Sequence, residues 1–164
     1  MYESQTPPTK NTYYLQMRNL QKLLRRAVLI KNFRNIKNLD RELFLRCKPI
    51  KSFIRKNNIS DKEAMLLPPV IIGAVLGNKF KVDFTRYLKY PIAKKLEAKL
   101  NTIGKIGINN GINVVGKCAE VNSSNYLLLL KKKAEPSEIK FTRPYRPRTS
   151  EIIETCQNCQ KIFN

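Results

Sequence analysis

Thirty-two lysines and arginines stand against twelve aspartates and glutamates, which leaves the chain with a net charge of +20 at pH 7. Self-repulsion on that scale works against a compact state and draws the chain to polyanions. Nucleic acid is the polyanion that the sequence favours. In 164 residues there is room for one domain with extensions. An anionic membrane surface is the other plausible polyanion, but no apolar run reaches the roughly 18 residues of a membrane span, so a spanning protein is not expected, and no membrane is among the expected partners. The chain has no histidine. That excludes hydrolases working through imidazole, and metal sites ligated by histidine.

Lysine, asparagine and isoleucine number 21, 16 and 16, and all three have AT-rich codons. This bias suits an organelle, virus, endosymbiont or parasite genome, and inflates lysine without regard to function. Arginine gains less from it and still numbers 11. The four cysteines, Cys47, Cys118, Cys156 and Cys159, form no evident disulfide framework, so a reducing intracellular compartment is expected.

The chain divides into four stretches. Residues 1–12, with Pro7 and Pro8, read as a flexible tail. Residues 13–103 read as a mainly helical basic region. Tyr13, Met17, Leu20, Leu24 and Ala27 make one helical stripe, with Arg18, Lys22, Arg25 and Arg26 mainly off it. Asn38–Cys47 is a second helix stopped before Pro49, and Ile50–Lys56 a third. Ser60 and Glu63 fit a capping box. Val70–Leu76 suits a strand or a buried helix equally. A further helix carries Ile92, Leu96, Leu100 and Ile103, with Pro91 in its first turn and Gly104 as its C-cap. Residues 104–141 read as a small bent β-meander or barrel. Four of the six glycines fall between Gly104 and Gly116, Asn109-Asn110-Gly111 is a tight-turn signal, and Ile112–Val121 and Tyr126–Leu130 read as strands. Asn122-Ser123-Ser124-Asn125 is the turn between them. Residues 142–164 read as an extended basic arm with a Cys-x-x-Cys. The expected class is therefore α+β.

The run Asn110-Gly111-Ile112-Asn113-Val114-Val115-Gly116, followed by Val121-Asn122 and Leu127-Leu128-Leu129, resembles the first motif of Sm-like proteins. Gly111 and Gly116 keep that family's spacing. Asn122 stands at its acidic position and Tyr126 at its base-holding asparagine. The protein subunit of ribonuclease P and ribosomal proteins with SH3-like barrels share the same rhythm. The resemblance implies a small RNA-associated barrel over about 25 residues.

Two basic stretches are candidate nucleic-acid contacts. Residues 13–56 hold thirteen basic side chains against two acidic ones, among them Arg18, Lys22, Arg25, Arg26, Arg34 and Arg41. An ordinary solvated helix mixes signs to gain i,i+4 pairs, and this stretch hardly does. In the arm, Arg143, Arg146 and Arg148 suit phosphates, while Tyr145 suits stacking on unpaired bases. Cys156 and Cys159 are candidate metal ligands. Zinc needs further donors, and Cys47 and Cys118 would have to converge on them. No cofactor is expected otherwise.

The glycine-rich stretch 104–111 lacks the ending of a phosphate-binding loop, and the acids look isolated, so no enzyme is expected. The reading is an RNA-binding structural component of a ribonucleoprotein. A ribosomal protein comes first, bound to ribosomal RNA and neighbouring proteins, in the cytosol or a mitochondrion. The alternatives are a viral nucleic-acid-packaging protein and a non-catalytic subunit of an RNA-processing complex such as ribonuclease P.

Overall fold

The computed structural model describes residues 9–164, and the fold is α+β. The expected tail falls partly on residues 1–8, outside the described residues. Helix α1 (Lys10–Val28) begins earlier than expected, with Thr9 accepting from the Thr12 amide. Helix α2 (Ile36–Lys56) is one helix where two were expected, because it runs through Pro49. Leu39, Leu43, Cys47 and Ile50 are all buried along one stripe, and that packing tolerates the backbone bond that proline cannot make. Arg46 reaches across to α1 and donates to the carbonyls of Arg26 and Leu29, capping its C-terminus. The capping box forms as expected on the short helix α3 (Asp61–Ala64).

Strands β1 (Ile71–Leu76) and β2 (Lys79–Phe84) form an antiparallel hairpin turned by Gly77 and Asn78, and β1 also pairs antiparallel with β3 (Lys140–Phe141). Gly77 has φ of 59°, which glycine adopts without the penalty of a Cβ. The central strand β1 is buried along its whole length. Ile71 and Val75 join the core under α1 and α2; Ala74 and Leu76 join a second core. That second core is made with α4 (Lys94–Ile103), α5 (Ala119–Leu130) and α6 (Gln157–Phe163). A strand covered on both faces reads as a continuous apolar run without alternation, which is why period alone leaves residues 70–76 open. Gly73 lets α2 close onto β1: a Cβ there would lie 2.8 Å from Leu39 Cδ2 and 2.9 Å from Thr142 Cγ2. Gly104 ends α4 as expected.

The β-meander expected over 104–141 does not form. Residues 119–130 are the helix α5, packed across β1 and β2. Residues 105–118 are turns with one isolated bridge, Asn109 to Val114. The Sm-like comparison falls with the meander. The residues expected to form its turn are buried in α5, where the side chains of Asn122, Ser123 and Asn125 bond to backbone instead. Asn122 donates to the carbonyls of Arg86, Lys117 and Cys118, and Ser123 to that of Ala119. Asn125 accepts from the Ala93 amide and donates to the Pro91 carbonyl.

The expected extended arm is also folded in. Tyr145 exchanges backbone hydrogen bonds with Ile71, both at 2.9 Å, and so continues the sheet edge started by β3. Pro144 and Pro147 are tolerated there because Tyr145 makes only single bridges, to Ile71 on one side and to Ile152 on the other, and none of their hydrogen bonds needs an amide from either proline. The chain then doubles back through Thr149 and Ser150, with Ile153 N donating to the Pro144 carbonyl. That hairpin delivers residues 154–156 to the start of α5 and leads into α6.

Candidate metal centre

A cysteine followed three residues later by another places both thiols on one side of a helical turn. Here Cys156 is the N-cap of α6 and Cys159 lies in its first turn. Cys118 is the N-cap of α5. The two helix starts meet, and the three sulfur atoms lie within 4.8 Å of one another, with Cys118 Sγ and Cys156 Sγ 3.5 Å apart. Cys159 is buried; the other two are half-buried.

Three thiols this close share protons. Hydrogen bonds from Cys118 first, and then from Cys159, hold the Cys156 thiol far below its ordinary pKa. The same contact with Cys156 pushes the Cys118 thiol up, and bonds to Cys118 and Cys156 push up Cys159. A bound cation reverses this logic and ionises coordinated thiols outright.

Glu120 follows Cys118 by two residues and is 5% exposed. Burial is the main reason its carboxyl pKa is raised, with the charge of Cys156 adding to it. A cavity of about 380 Å³ opens onto this group and is lined by Thr85, Asn113, Lys117, Cys118, Glu120 and Cys156, among others. That volume is in the range of small-ligand sites. Asn158, buried within the Cys-x-x-Cys, exchanges two side-chain hydrogen bonds with Asn110, at 3.0 and 3.2 Å. The pair fastens the α4–α5 loop, which forms one cavity wall, to the turn that carries two of the thiols.

The donor set fits zinc. Tetrahedral zinc–thiolate bonds of about 2.3 Å put neighbouring sulfurs roughly 3.8 Å apart, and the observed spacing brackets that value. Among the described residues the cluster has three donors and no fourth. Three protein ligands and an open position are the pattern of a catalytic zinc, whereas structural zinc is closed by four.

The structure brings together Cys156 and Cys159 as expected, and adds Cys118. Cys47 does not take part. It is fully buried in the core beneath α1 and α2, on the other side of the sheet, where burial pushes its thiol up to about 12. Cys118 and Glu120 are legible in the sequence as a Cys-x-Glu triplet ahead of a Cys-x-x-Cys. Reading residues 112–121 as strand hides the fact that both stand at a helix start.

The expected nucleic-acid contacts divide. Arg18, Lys22, Arg25, Arg26, Arg34 and Arg41 are exposed on and between α1 and α2. Arg143 is exposed, yet it is paired with Asp40 at 2.6 Å. Arg146 and Arg148 are half-buried. Tyr145 has no exposed surface and its ring packs near Phe44, so it is closed to stacking on a base. No helix among the described residues is long and apolar enough to cross a membrane. The chain matches no protein-family profile, no curated protein and no solved structure.

Proposed function

We propose that the protein is a zinc-dependent hydrolase that removes the exocyclic amine from a nucleobase. The observation that carries this reading is the convergence of Cys118, Cys156 and Cys159 beside buried Glu120 at one cavity. A metal held by cysteines of this spacing, with a glutamate that is not itself a ligand, is the arrangement by which zinc deaminases act on cytosine or adenine. The expectation of a non-enzyme gives way to this reading, because the acid that looks isolated in sequence lies against three candidate ligands.

Zinc, when bound, supplies the Lewis acidity that makes water a nucleophile near neutral pH. Glu120 takes one proton from the water as its oxygen bonds to the ring carbon bearing the amine, and passes that proton to the adjacent ring nitrogen. Glu120 then takes the remaining hydroxyl proton and gives it to the exocyclic nitrogen. The carbon–nitrogen bond breaks with its electron pair on nitrogen, ammonia leaves, and a carbonyl remains. One water enters and one ammonia leaves, with no change of oxidation state.

The test is ammonia release from a panel of cytosine, adenine and guanine compounds, as nucleosides, nucleotides and oligonucleotides, by the zinc-loaded full chain. Loss of an amine from one of them, abolished by Glu120→Gln with zinc retained, supports the reading. A zinc-loaded protein inert to the whole panel overturns it.

A second reading keeps the charge without the chemistry: an RNA-binding structural component of a ribonucleoprotein, ribosomal or organellar. The exposed arginines of α1 and α2 favour it. Co-sedimentation with large ribosomal particles at moderate salt is its test, and a protein found only outside such particles sinks it.

A further inference from the structure

We infer that the substrate is a single-stranded polynucleotide, held by Tyr87 and Lys117 at the cavity mouth while its target base enters the cavity. This rests on the deaminase reading and names the substrate class for that same site.

The segment leaving β2 runs Thr85-Arg86-Tyr87-Leu88-Lys89-Tyr90, and Thr85 lines the cavity. Tyr87 is 59% exposed and Tyr90 78% exposed, although large aromatic rings usually go to the core. Lys117, on the facing loop and also lining the cavity, lies over the Tyr87 ring with Nζ 4.8 Å from its centroid. The two segments are joined by the Arg86 amide donating to the Lys117 carbonyl at 3.1 Å, and Asn122 donates to both the Arg86 and Lys117 carbonyls. The backbone beneath both side chains is thus fixed from α5, while the Tyr87 ring stays exposed with the half-buried Lys117 reaching over it.

A free nucleoside would be recognised wholly inside the cavity and has no use for an exposed ring and cation beside it. A strand does. Interleaved aromatic and basic side chains along a groove are how single-stranded nucleic acid is bound, with bases stacking on rings and phosphates meeting cations. A duplex base cannot reach a buried carboxylate without leaving its stack, so an unpaired strand is the lower-cost form. The net charge of +20 acts at longer range, raising the local concentration of a polymer far more than that of a monomer.

The probe is a fluorescein-labelled 12-nucleotide single strand with one cytidine and one adenosine, made as RNA and as DNA, measured by anisotropy against the full chain with and without zinc. A duplex of the same sequence and the matching free nucleotides serve as competitors. Binding of the single strand should exceed that of the free nucleotides at least tenfold. Tyr87→Ala should weaken it roughly tenfold, Tyr87→Phe should restore it, and Lys117→Gln should lower its log-salt slope by about one phosphate's worth. Whether RNA or DNA binds more tightly names the polymer. The inference is overturned if free nucleotides compete as well as the strand, or if Tyr87→Ala leaves strand affinity unchanged. Zinc content and ammonia release, read separately, report on the deaminase reading, so failure of one does not disguise failure of the other.

Discussion

The hydroxyl of Tyr145 donates a hydrogen bond of 3.0 Å to Asp40 Oδ1, a residue 105 positions earlier in the chain. The same carboxylate accepts from the backbone amide, Nε and Nη2 of Arg143. One acid on α2 thereby anchors the edge segment that the sequence presents as a free basic arm. The hairpin that follows this anchor leads into α6, which Cys156 caps and which carries Cys159.

Tyr145→Phe should cost about 1 kcal/mol, the usual net worth of one such bond. It should also change the alkaline limb. Burial first, and then the bond to Asp40, push the Tyr145 hydroxyl up to about 12 from 10.0. A pKa raised in the folded state gives stability that is complete below the unfolded value and is lost as pH rises through the folded one. Tyr145 therefore contributes fully below pH 10, and its contribution falls away between pH 10 and 12. Denaturation of the two proteins across the alkaline range should show a shallower decline in the phenylalanine variant. Parallel curves would show that the hydroxyl is not held by Asp40.

The cysteines make a sharper forecast. The purified protein should carry one zinc per chain, and Cys118→Ser, Cys156→Ser and Cys159→Ser should each lose most of it. Cys47→Ala should keep it, since that thiol lies in the other core. Because the metal binds the folded chain, chelation should lower the melting temperature. It should also expose residues 154–164 to protease. Full zinc in the Cys118→Ser variant would remove this cysteine from the site.

Arg18, Lys22, Arg25 and Arg26 are exposed on α1, and none is in an ion pair among the described residues. Replacing all four by glutamine should flatten the log-salt slope for single-stranded binding, by roughly 0.7 for each phosphate that is no longer neutralised. A slope that does not move places the phosphate-binding groups on other cations of the chain.

Much of the fold was legible where local chemistry and tertiary packing agree. The stripe from Met17 to Ala27, the Ser60–Glu63 capping box and the Gly104 cap all form. Legibility failed where a residue type serves an unusual partner. Asparagine and serine favour turns because their side chains compete for nearby backbone groups. In α5 the side chains of Asn122, Ser123 and Asn125 satisfy the backbone of segments 86–93 and of their own preceding turn, so a turn signature marks a buried helix. The cysteine cluster was half-visible for a related reason. Cys156 and Cys159 announce themselves by spacing, while Cys118 joins them only because α5 and α6 start at the same place. The Cys-x-Glu triplet at 118–120 points to that meeting only once residue 118 is read as a helix start and not as part of a strand. The basic arm misleads because proline ordinarily blocks regular structure, whereas here the bridges that Tyr145 makes to Ile71 and to Ile152 ask no amide of Pro144 or Pro147.

Asn125 offers the most direct test of that polar stripe. Its Oδ1 accepts from the Ala93 amide at 2.8 Å, and its Nδ2 donates to the Pro91 carbonyl at 3.0 Å. Ala93 is the N-cap of α4, a helix whose cap makes no side-chain hydrogen bond of its own. Asn125→Leu keeps the γ-branched shape, though with bulkier ends, and is a better helix former, so propensity alone predicts a gain. It also leaves a buried donor and a buried acceptor unpaired, which should cost about 2–4 kcal/mol. Asn125→Asp keeps the acceptor for Ala93 and loses only the donor to Pro91. The ordering of denaturation midpoints at neutral pH should be wild type, then Asn125→Asp, then Asn125→Leu. The segment from Arg86 to Ala93 carries Tyr87, so the leucine variant should also bind single strands more weakly under conditions where it remains folded. A leucine variant as stable as the wild type would mean that the bonds from Asn125 to Ala93 and Pro91 do not hold α5 against the segment that leads into α4.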